Sequence, residues 1–330
     1  MNLIKSALLV AVLLVAPNTN VSGQKTDALE GHFRLYYQDA VFTPVYRFEH
    51  PTTKVKVTLT CVSHAGVGTY YTEVGKSLVD CTTVIYEDNE ISTTSVSEGS
   101  FDELRKAFEV PLGWDRDSWI LKTNTSKEQL FHEYVRTMYA AFIIGANASG
   151  CELEADALQE NRSMSNWISG DEYFKELLKK DAVKRKAHEI EVQRLLRKAN
   201  SLPGKLLAGQ VWDIKQRGQD ANFAMTKGII KYLPRTFHAI IYNIYAYDKT
   251  ISLFQEIYTN PVDEAMFEGV FDPMNTTSTG SENLHIGIKY GVEHAKHLTK
   301  LLKDRDFELK ETTWLTCIPL KHVPERLRKE

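Results

Sequence analysis

The sequence predicts an α/β protein, with a central twisted, mostly parallel sheet flanked by helices and a helical insertion in the middle of the chain. Three observations support this fold class. A strand, a helix and a strand follow one another over residues 55–86, and the same order returns over residues 284–318. Between them, helical periodicity dominates residues 127–232. Strands that alternate with helices are typical of parallel sheets.

The N-terminus predicts export of the protein. Lys5 precedes an apolar run over residues 7–16, and Val21, Ser22 and Gly23 form a small-residue cleavage pattern, which is typical of a secretory signal peptide over residues 1–23. The apolar run is too short to span a membrane, and no later stretch reaches about 18 apolar residues. We therefore expect a periplasmic or secreted mature chain, without an integral membrane segment.

The mature chain, residues 24–330, is predicted to form a single α/β domain with its helical insertion at about residues 127–232. The net charge of −3 gives no indication of nucleic-acid binding, so no nucleic-acid partner is expected. The basic run over residues 179–198 is interrupted by acidic side chains and predicts a solvated helix face.

Four cysteines remain after the signal peptide, and an oxidising compartment would allow disulfides among them in three pairings. Cys61 stands near the end of its predicted strand, whereas Cys81 precedes the next one. In a parallel arrangement these positions are offset by about 10 Å along the sheet, at about 3.3 Å per residue. That offset exceeds the reach of a disulfide, so we expect these two cysteines not to pair.

The first strand–helix–strand unit follows a predicted hairpin at residues 32–37 and 41–48. Apolar and polar side chains alternate along residues 55–61, which predicts a strand that stops at the small residues around His64. Helical spacing follows, and a second β-rich run over residues 82–86 ends at Glu87. A unit of this length is a right-handed crossover, so we expect parallel neighbouring strands with His64 and Glu87 at one edge of the sheet.

Ligands usually bind at that edge of an open α/β sheet. An imidazole and a carboxylate brought together there could ligate a metal ion or act as an acid/base pair. They could equally form a hydrogen-bonded surface pair without function. On His64 and Glu87 alone, the alternatives stay open.

The middle of the chain is predicted to be helical. An amphipathic stripe runs over residues 130–145, and residues 171–200 predict one longer, heavily charged helix. Residues 236–247 are β-branched and aromatic and could form a strand, although short apolar runs are ambiguous.

The second unit has the same order of elements as the first: strand, helix, strand. Residues 284–290 predict a strand that leads into a turn, GVEH, at residues 291–294, and a helix and a strand over residues 307–318 follow. His294 therefore also stands at the carboxyl end of a strand, where it could join a shared site or simply cap its helix. His297, on the same helical face, is a candidate third ligand, although a surface histidine is the plainer interpretation.

The two histidine turns and the acidic strand end resemble the TraB/GumN/Tiki family, which belongs to a wider group with the erythromycin esterases and the ChaN-like haem-binding proteins. Members similar to this chain carry two G-x-x-H turns, one near each end, and a glutamate that ends the strand after the first turn. The second turn is intact at residues 291–294, the glutamate is Glu87 in VIYE at residues 84–87, and the first turn is CVSH at residues 61–64. The similar order of elements spans residues 32–318.

The resemblance implies a metal-dependent hydrolase of peptides or proteins, since animal Tiki proteins are proteases supported by manganese or cobalt. It would make His64 and His294 metal ligands or catalytic imidazoles, and Glu87 a ligand or general base. The implied cofactor is a divalent ion, Mn²⁺ or Co²⁺. Cys61 replaces the first family glycine, which favours the alternative of a non-catalytic relative that binds a ligand or partner in the same cleft. Cys61 could also ligate a soft metal, although a buried strand cysteine is the plainer interpretation.

Overall fold

The computed structural model describes residues 35–37, 40–88, 104–123, 150–201, 260–277, 284–292 and 294–319, with shorter stretches between 126 and 146 and between 208 and 219. The predicted signal peptide at residues 1–23 and the predicted strand at residues 236–247 lie outside these described residues. In the part of the chain that is described, no helix has the length and apolarity needed to span a bilayer.

Nine strands are formed by the described residues: β1 Leu35–Tyr37, β2 Ala40–Glu49, β3 Lys56–Val62, β4 Ala65–Gly66, β5 Thr83–Tyr86, β6 Glu152–Leu153, β7 Trp167–Ser169, β8 His285–Gly291 and β9 Glu308–Pro319. The helices used below are α1 Gly68–Leu78, α2 Arg116–Lys122, α3 Glu154–Ala157, α4 Gln159–Arg162, α5 Gly170–Lys180, α6 Ala182–Ser201, α7 Asn260–Met266, α8 Asp272–Thr277 and α9 Ala295–Lys303. A π-helical turn, Phe267–Phe271, joins α7 to α8.

The main sheet has seven strands in the order β1-β2-β3-β8-β5-β7, and β9 pairs with β2. Strands β3, β8, β5 and β7 pair in parallel, while β2 is antiparallel to β1, β3 and β9. The sheet is therefore mixed, and helices pack against it, so the predicted α/β fold class is confirmed. The four parallel strands end at the same edge of the sheet.

The predicted neighbours β3 and β5 are parallel but do not touch, because β8 lies between them and pairs with both. A local pattern reveals that a crossover exists but not how many strands it passes over. Gly287 helps β8 fit this position. A Cβ atom there would lie 2.9 Å from Leu78 Cδ2 and 3.0 Å from Val84 Cγ2, so α1 and β5 pack closely over the glycine backbone.

The predicted helical stretch at residues 127–232 contains two short strands that the helical pattern concealed. β7 extends the main sheet beside β5, and β6 pairs with β4 in a separate two-stranded sheet. The single helix predicted at residues 171–200 is divided at Asp181 into α5 and α6. The Asp181 carboxylate accepts the backbone N–H groups of Val183 and Lys184, which starts a new helix there.

One apolar cluster of the described residues lies on one face of the sheet, where β3 and β8 pack against α7, the π-helical turn and α9. Cys61 belongs to this cluster and is fully buried, as the plainer interpretation of that residue predicted. Ile286, Ile288 and Tyr290 of β8 point into it, whereas Lys289 between them points to the opposite face. β8 therefore separates two sets of polar side chains at the end of the sheet.

Candidate functional site

The predicted site residues all lie at the edge where the parallel strands end. His64 follows β3, Glu87 follows β5, and His294 follows β8. Their exposed fractions are 5%, 3% and 3%, so all three side chains are buried. Because β3 and β8 are parallel neighbours, the two histidine turns stand side by side, and Val292 N–H donates to the Val62 carbonyl between them.

Glu87 is held directly by the second histidine turn. The Gly291 N–H donates to Glu87 Oε2 at 2.7 Å, and Oε1 lies 3.5 Å from His294 Nε2. Burial by itself would raise the pKa of Glu87, but the positive charge of His294 at 3.5 Å, with help from His64, lowers it to about 2. The carboxylate is therefore ionised at neutral pH.

His294 is oriented by a carboxylate that no sequence pattern predicted. Its Nδ1 lies 2.6 Å from Asp263 Oδ1, on α7. Burial disfavours the imidazolium, yet the negative charges of Asp263 and Glu87 outweigh it and raise the pKa of His294 well above its ordinary value. His294 Nε2 is buried without a hydrogen-bond partner among the described residues, and it faces Glu87.

His297 lies on the far side of the same aspartate. Its Nδ1 is 3.1 Å from Asp263 Oδ2, and its Nε2 is 3.6 Å from Glu264 Oε1. Only 15% of the His297 side chain is exposed, so it is not the surface histidine that its helix pattern suggested. Asp263 thus bridges two imidazoles, one in the site and one nearer the surface.

His64 belongs to a second buried network on the opposite face of β8. Its Nδ1 lies 2.7 Å from Glu154 Oε2, while Glu154 Oε1 pairs with the Lys289 ammonium group. Lys289 Nζ also donates to the Glu87 carbonyl at 3.3 Å, which links this network to the first. Glu154 and Lys289 are both fully buried.

The local fold explains why Glu154 meets His64. β4 follows the His64 turn and pairs with β6, and the Glu154 N–H then donates to the His64 carbonyl at 3.0 Å. Two tyrosines of α1 fix the turn from the other side. The Ser63 N–H donates to the Tyr70 hydroxyl at 3.0 Å, and the Tyr71 hydroxyl donates to the Ser63 carbonyl at 2.9 Å.

Asp171 is a fourth acidic group at this edge, in the first turn of α5 after β7. Its Oδ2 accepts the Asp88 N–H at 2.6 Å. Burial, together with the negative charge of Glu87, raises the pKa of Asp171 to about 7. Glu87 and Asp171 are therefore neighbouring carboxyl groups with opposite shifts, a pattern that is common at functional sites.

The structure brings Glu87 and His294 into contact and places His64 close enough to act on the charge of Glu87. The imidazole of His64 itself contacts the Glu154 carboxylate. Among the described residues, no group of three or more His, Cys, Asp or Glu side chains is arranged to hold a metal ion. The geometry that is present is a buried acid–base network, in which His294 Nε2 forms a 3.5 Å ion pair with Glu87 and no hydrogen bond to the described residues.

Sequence reasoning missed Glu154, Lys289, Asp263 and Asp171. Lys289 carried a usable signal, since a lysine inside an apolar, two-sided buried strand requires a buried partner. Asp171 directly follows a strand, but a three-residue strand inside a helical pattern was not recognised. Glu154 and Asp263 have no local signal, because tertiary packing alone brings them to the histidines.

Comparison with known proteins gives no match: no family model, no curated protein and no solved structure resembles this chain. The likeness to the TraB/GumN/Tiki family therefore rests on the two histidine turns and the glutamate strand end. The function has to be argued from the chemistry of the side chains at this edge.

Proposed function

We propose that this chain is an exported hydrolase that cleaves a peptide or protein substrate through His64, Glu87 and His294, with a divalent metal ion, Mn²⁺ or Co²⁺, as its cofactor. One observation carries the proposal. An ionised, buried carboxylate stands 3.5 Å from an imidazole nitrogen that has no hydrogen-bond partner among the described residues. Such a pair is suited to moving a proton in a site that excludes water. Export is inferred from the pattern of residues 1–23.

The donor set fits a metal cofactor in two respects. A carboxylate lies at hydrogen-bond distance from Nδ1 of each histidine, Glu154 for His64 and Asp263 for His294. Imidazoles that bind metals are commonly oriented in this way, and a ligating role would fall on Nε2 of each ring. Glu87 adds carboxylate oxygens, which suit Mn²⁺.

The divalent ion would polarise the scissile carbonyl and lower the pKa of a bound water molecule. Glu87, which is ionised, accepts the proton of the attacking water. His294 cannot ligate the ion and act as an acid at once, because both roles use Nε2 and a ligand nitrogen must be deprotonated. As a catalytic imidazole, in the cationic form that it favours, it donates the Nε2 proton to the leaving nitrogen, and Asp263 holds its orientation and stabilises its charge. Substrate atoms that separate Glu87 from His294 would weaken the attraction that lowers the pKa of Glu87, making it a stronger base in the complex.

The alternative is a non-catalytic relative that binds a ligand or partner at the same edge. The near-complete burial of the three side chains favours it, since groups this enclosed can serve to hold the fold together. Cys61, which replaces the first family glycine, points the same way.

The decisive experiment measures bound metal in the purified mature chain and cleavage of a peptide library with and without Mn²⁺. We expect Mn²⁺ to stimulate cleavage and Glu87→Gln to lower the rate at least about 100-fold, as loss of general base catalysis does. Glu176→Gln makes the same change at a glutamate on α5 whose side chain is 45% exposed, and it is expected to retain the rate.

Cleavage that needs no metal would contradict the cofactor but not the hydrolase. If the wild-type chain cleaves no peptide, and Glu87→Gln behaves like the wild type in every assay, the hydrolase proposal is wrong and the ligand-binding alternative is favoured.

A further inference from the structure

Tyr290 is the second side chain at this edge with an unsatisfied polar atom. Its hydroxyl is buried and has no hydrogen-bond partner among the described residues, as is also true of His294 Nε2. The two rings meet edge to face with centroids 5.1 Å apart. Most buried polar groups are hydrogen-bonded, so two exceptions on touching rings call for an explanation.

The Tyr290 hydroxyl lies at the beginning of α5. A Cβ atom on Gly170, the first residue of that helix, would lie 2.0 Å from the hydroxyl oxygen, so only glycine fits there without displacement. The first N–H groups of a helix have no intrahelical partner, and that end carries a partial positive charge. The Ser169 hydroxyl caps this end of the helix by accepting the N–H of Glu172. The helix itself is 11 residues long.

The hydroxyl makes no hydrogen bond to the described residues and is therefore available as a donor. Burial raises the pKa of Tyr290 well above its ordinary value, and the negative charges of Asp171, Asp263 and Glu87 raise it further. The negative charges of two of these carboxylates are balanced by partners other than Tyr290. Asp263 contacts two histidines, and Glu87 contacts His294 and the Gly291 N–H. Asp171 accepts the Asp88 N–H.

We propose that the Tyr290 hydroxyl, beside the N-terminal end of α5 at Gly170, binds the carbonyl oxygen of the scissile bond and stabilises the negative charge that develops on it. This rests on the proposed hydrolytic function and adds a catalytic residue to it. Donors aimed at the developing oxyanion are a large source of rate enhancement in acyl transfer.

The step is an ordinary addition and elimination. Water adds to the carbonyl carbon, its proton passes to Glu87, and the π electron pair moves to the carbonyl oxygen, where it accepts the Tyr290 hydrogen bond. When the pair returns, the C–N bond breaks and the leaving nitrogen takes a proton from His294. The products are a carboxylic acid and an amine, and no oxidant or reductant is required.

The test is Tyr290→Phe, with kcat and KM measured on a peptide that the wild-type chain cleaves. We expect kcat to fall about 100-fold with KM within about twofold, and the inhibition constant of the matching phosphinic peptide to rise by a similar factor. The melting temperature should not fall, because the hydroxyl that is lost has no partner. Tyr46→Phe, in the same apolar cluster but on β2, is the control and should retain kcat.

Gly170→Ala provides a second, structural readout. Its methyl group would collide with the Tyr290 hydroxyl, so we expect a lower melting temperature and a lower kcat. In Gly170→Ala/Tyr290→Phe the 2.0 Å collision is removed and only 3.2 Å contacts with the ring Cζ and Met266 Cγ remain, so most of the melting temperature should recover while kcat stays low. A purely structural role for Tyr290 would restore both.

The outcomes distinguish this inference from the proposed function. If the wild-type chain cleaves peptides and Tyr290→Phe keeps kcat within about twofold, the inference is wrong and the hydrolase stands. The inference is equally wrong if the loss of kcat in Tyr290→Phe is accompanied by a matching loss of folded protein, seen as a lower melting temperature. If the wild-type chain cleaves nothing, both are overturned.

Discussion

Glu154 shows what a single side chain contributes to this site. Its carboxylate contacts His64 on one side and Lys289 on the other, and all three side chains are at most 5% exposed. Taking such charges out of water costs several kcal/mol per ion, and the cost is offset only when each ion finds a partner with good geometry. Loss of one member would leave a buried charge without its partner and would destabilise the fold. The network therefore holds the His64 side chain in one position.

Asp171 gives a prediction on pH dependence. Its pKa is raised from an ordinary 3.8 to about 7, so the folded protein holds a proton that the unfolded chain has already lost above about pH 4. The folded state is therefore favoured most below pH 4, and stability falls as the pH rises towards 7. Asp171→Asn keeps an oxygen for the Asp88 N–H but carries no charge, so it should be more stable than the wild type at pH 8.

Urea unfolding at pH 4 and pH 8 measures this difference. The stabilisation should exceed about 1 kcal/mol at pH 8, since each pKa unit corresponds to about 1.4 kcal/mol, and it should nearly vanish at pH 4. Asp117→Asn, on an exposed aspartate of α2, is expected to change stability little at either pH. Equal effects of Asp171→Asn at both values would show that its carboxyl group has an ordinary pKa.

At the scale of elements, β8 decides the architecture of the site. It separates β3 from β5, supplies Lys289 to one face and Tyr290 to the other, and ends in the turn that holds Glu87. The crossover pattern predicted correctly that His64 and Glu87 lie at one edge, because parallel strands end together whether or not they touch.

Because β8 is central, an Ile→Ala substitution in β8 should lower the free energy of unfolding much more than the same substitution in the outer strand β7. Ile288→Ala removes a fully buried side chain and should lower the free energy of unfolding by about 2–5 kcal/mol. Ile168→Ala, in the short outer strand β7 where the side chain is 39% exposed, should cost less than about 1 kcal/mol. Urea titration of both variants measures the difference, and equal losses would contradict this strand order.

At the scale of the whole molecule, the cysteines are buried without cross-linking. All four belong to the described residues, none forms a disulfide, and their exposed fractions are 0–9%. The expectation that Cys61 and Cys81 do not pair agrees with this arrangement. The stability of the fold thus rests on its buried apolar side chains and its sheet, and a chain of 330 residues is long enough to supply such a core.

Thiol titration tests this arrangement. The folded protein should react with Ellman's reagent only slowly, because the thiols are enclosed and burial raises the pKa of Cys81 to about 12. In guanidinium chloride all four thiols should react. Fewer than four reactive thiols in denaturant, without added reductant, would reveal a disulfide.

Sequence patterns were enough to predict the α/β class, most strands of the sheet, and the placement of His64, Glu87 and His294 at strand ends, because alternation and turn residues act over a few neighbouring positions. The folded chain was needed to show that β8 lies between β3 and β5, that β7 joins the sheet, and that Glu154 and Asp263 contact the two histidines. Those contacts join residues 90 and 31 positions apart in the chain. No local pattern records such distances, since strand order and helix docking are set by how the whole apolar surface is buried.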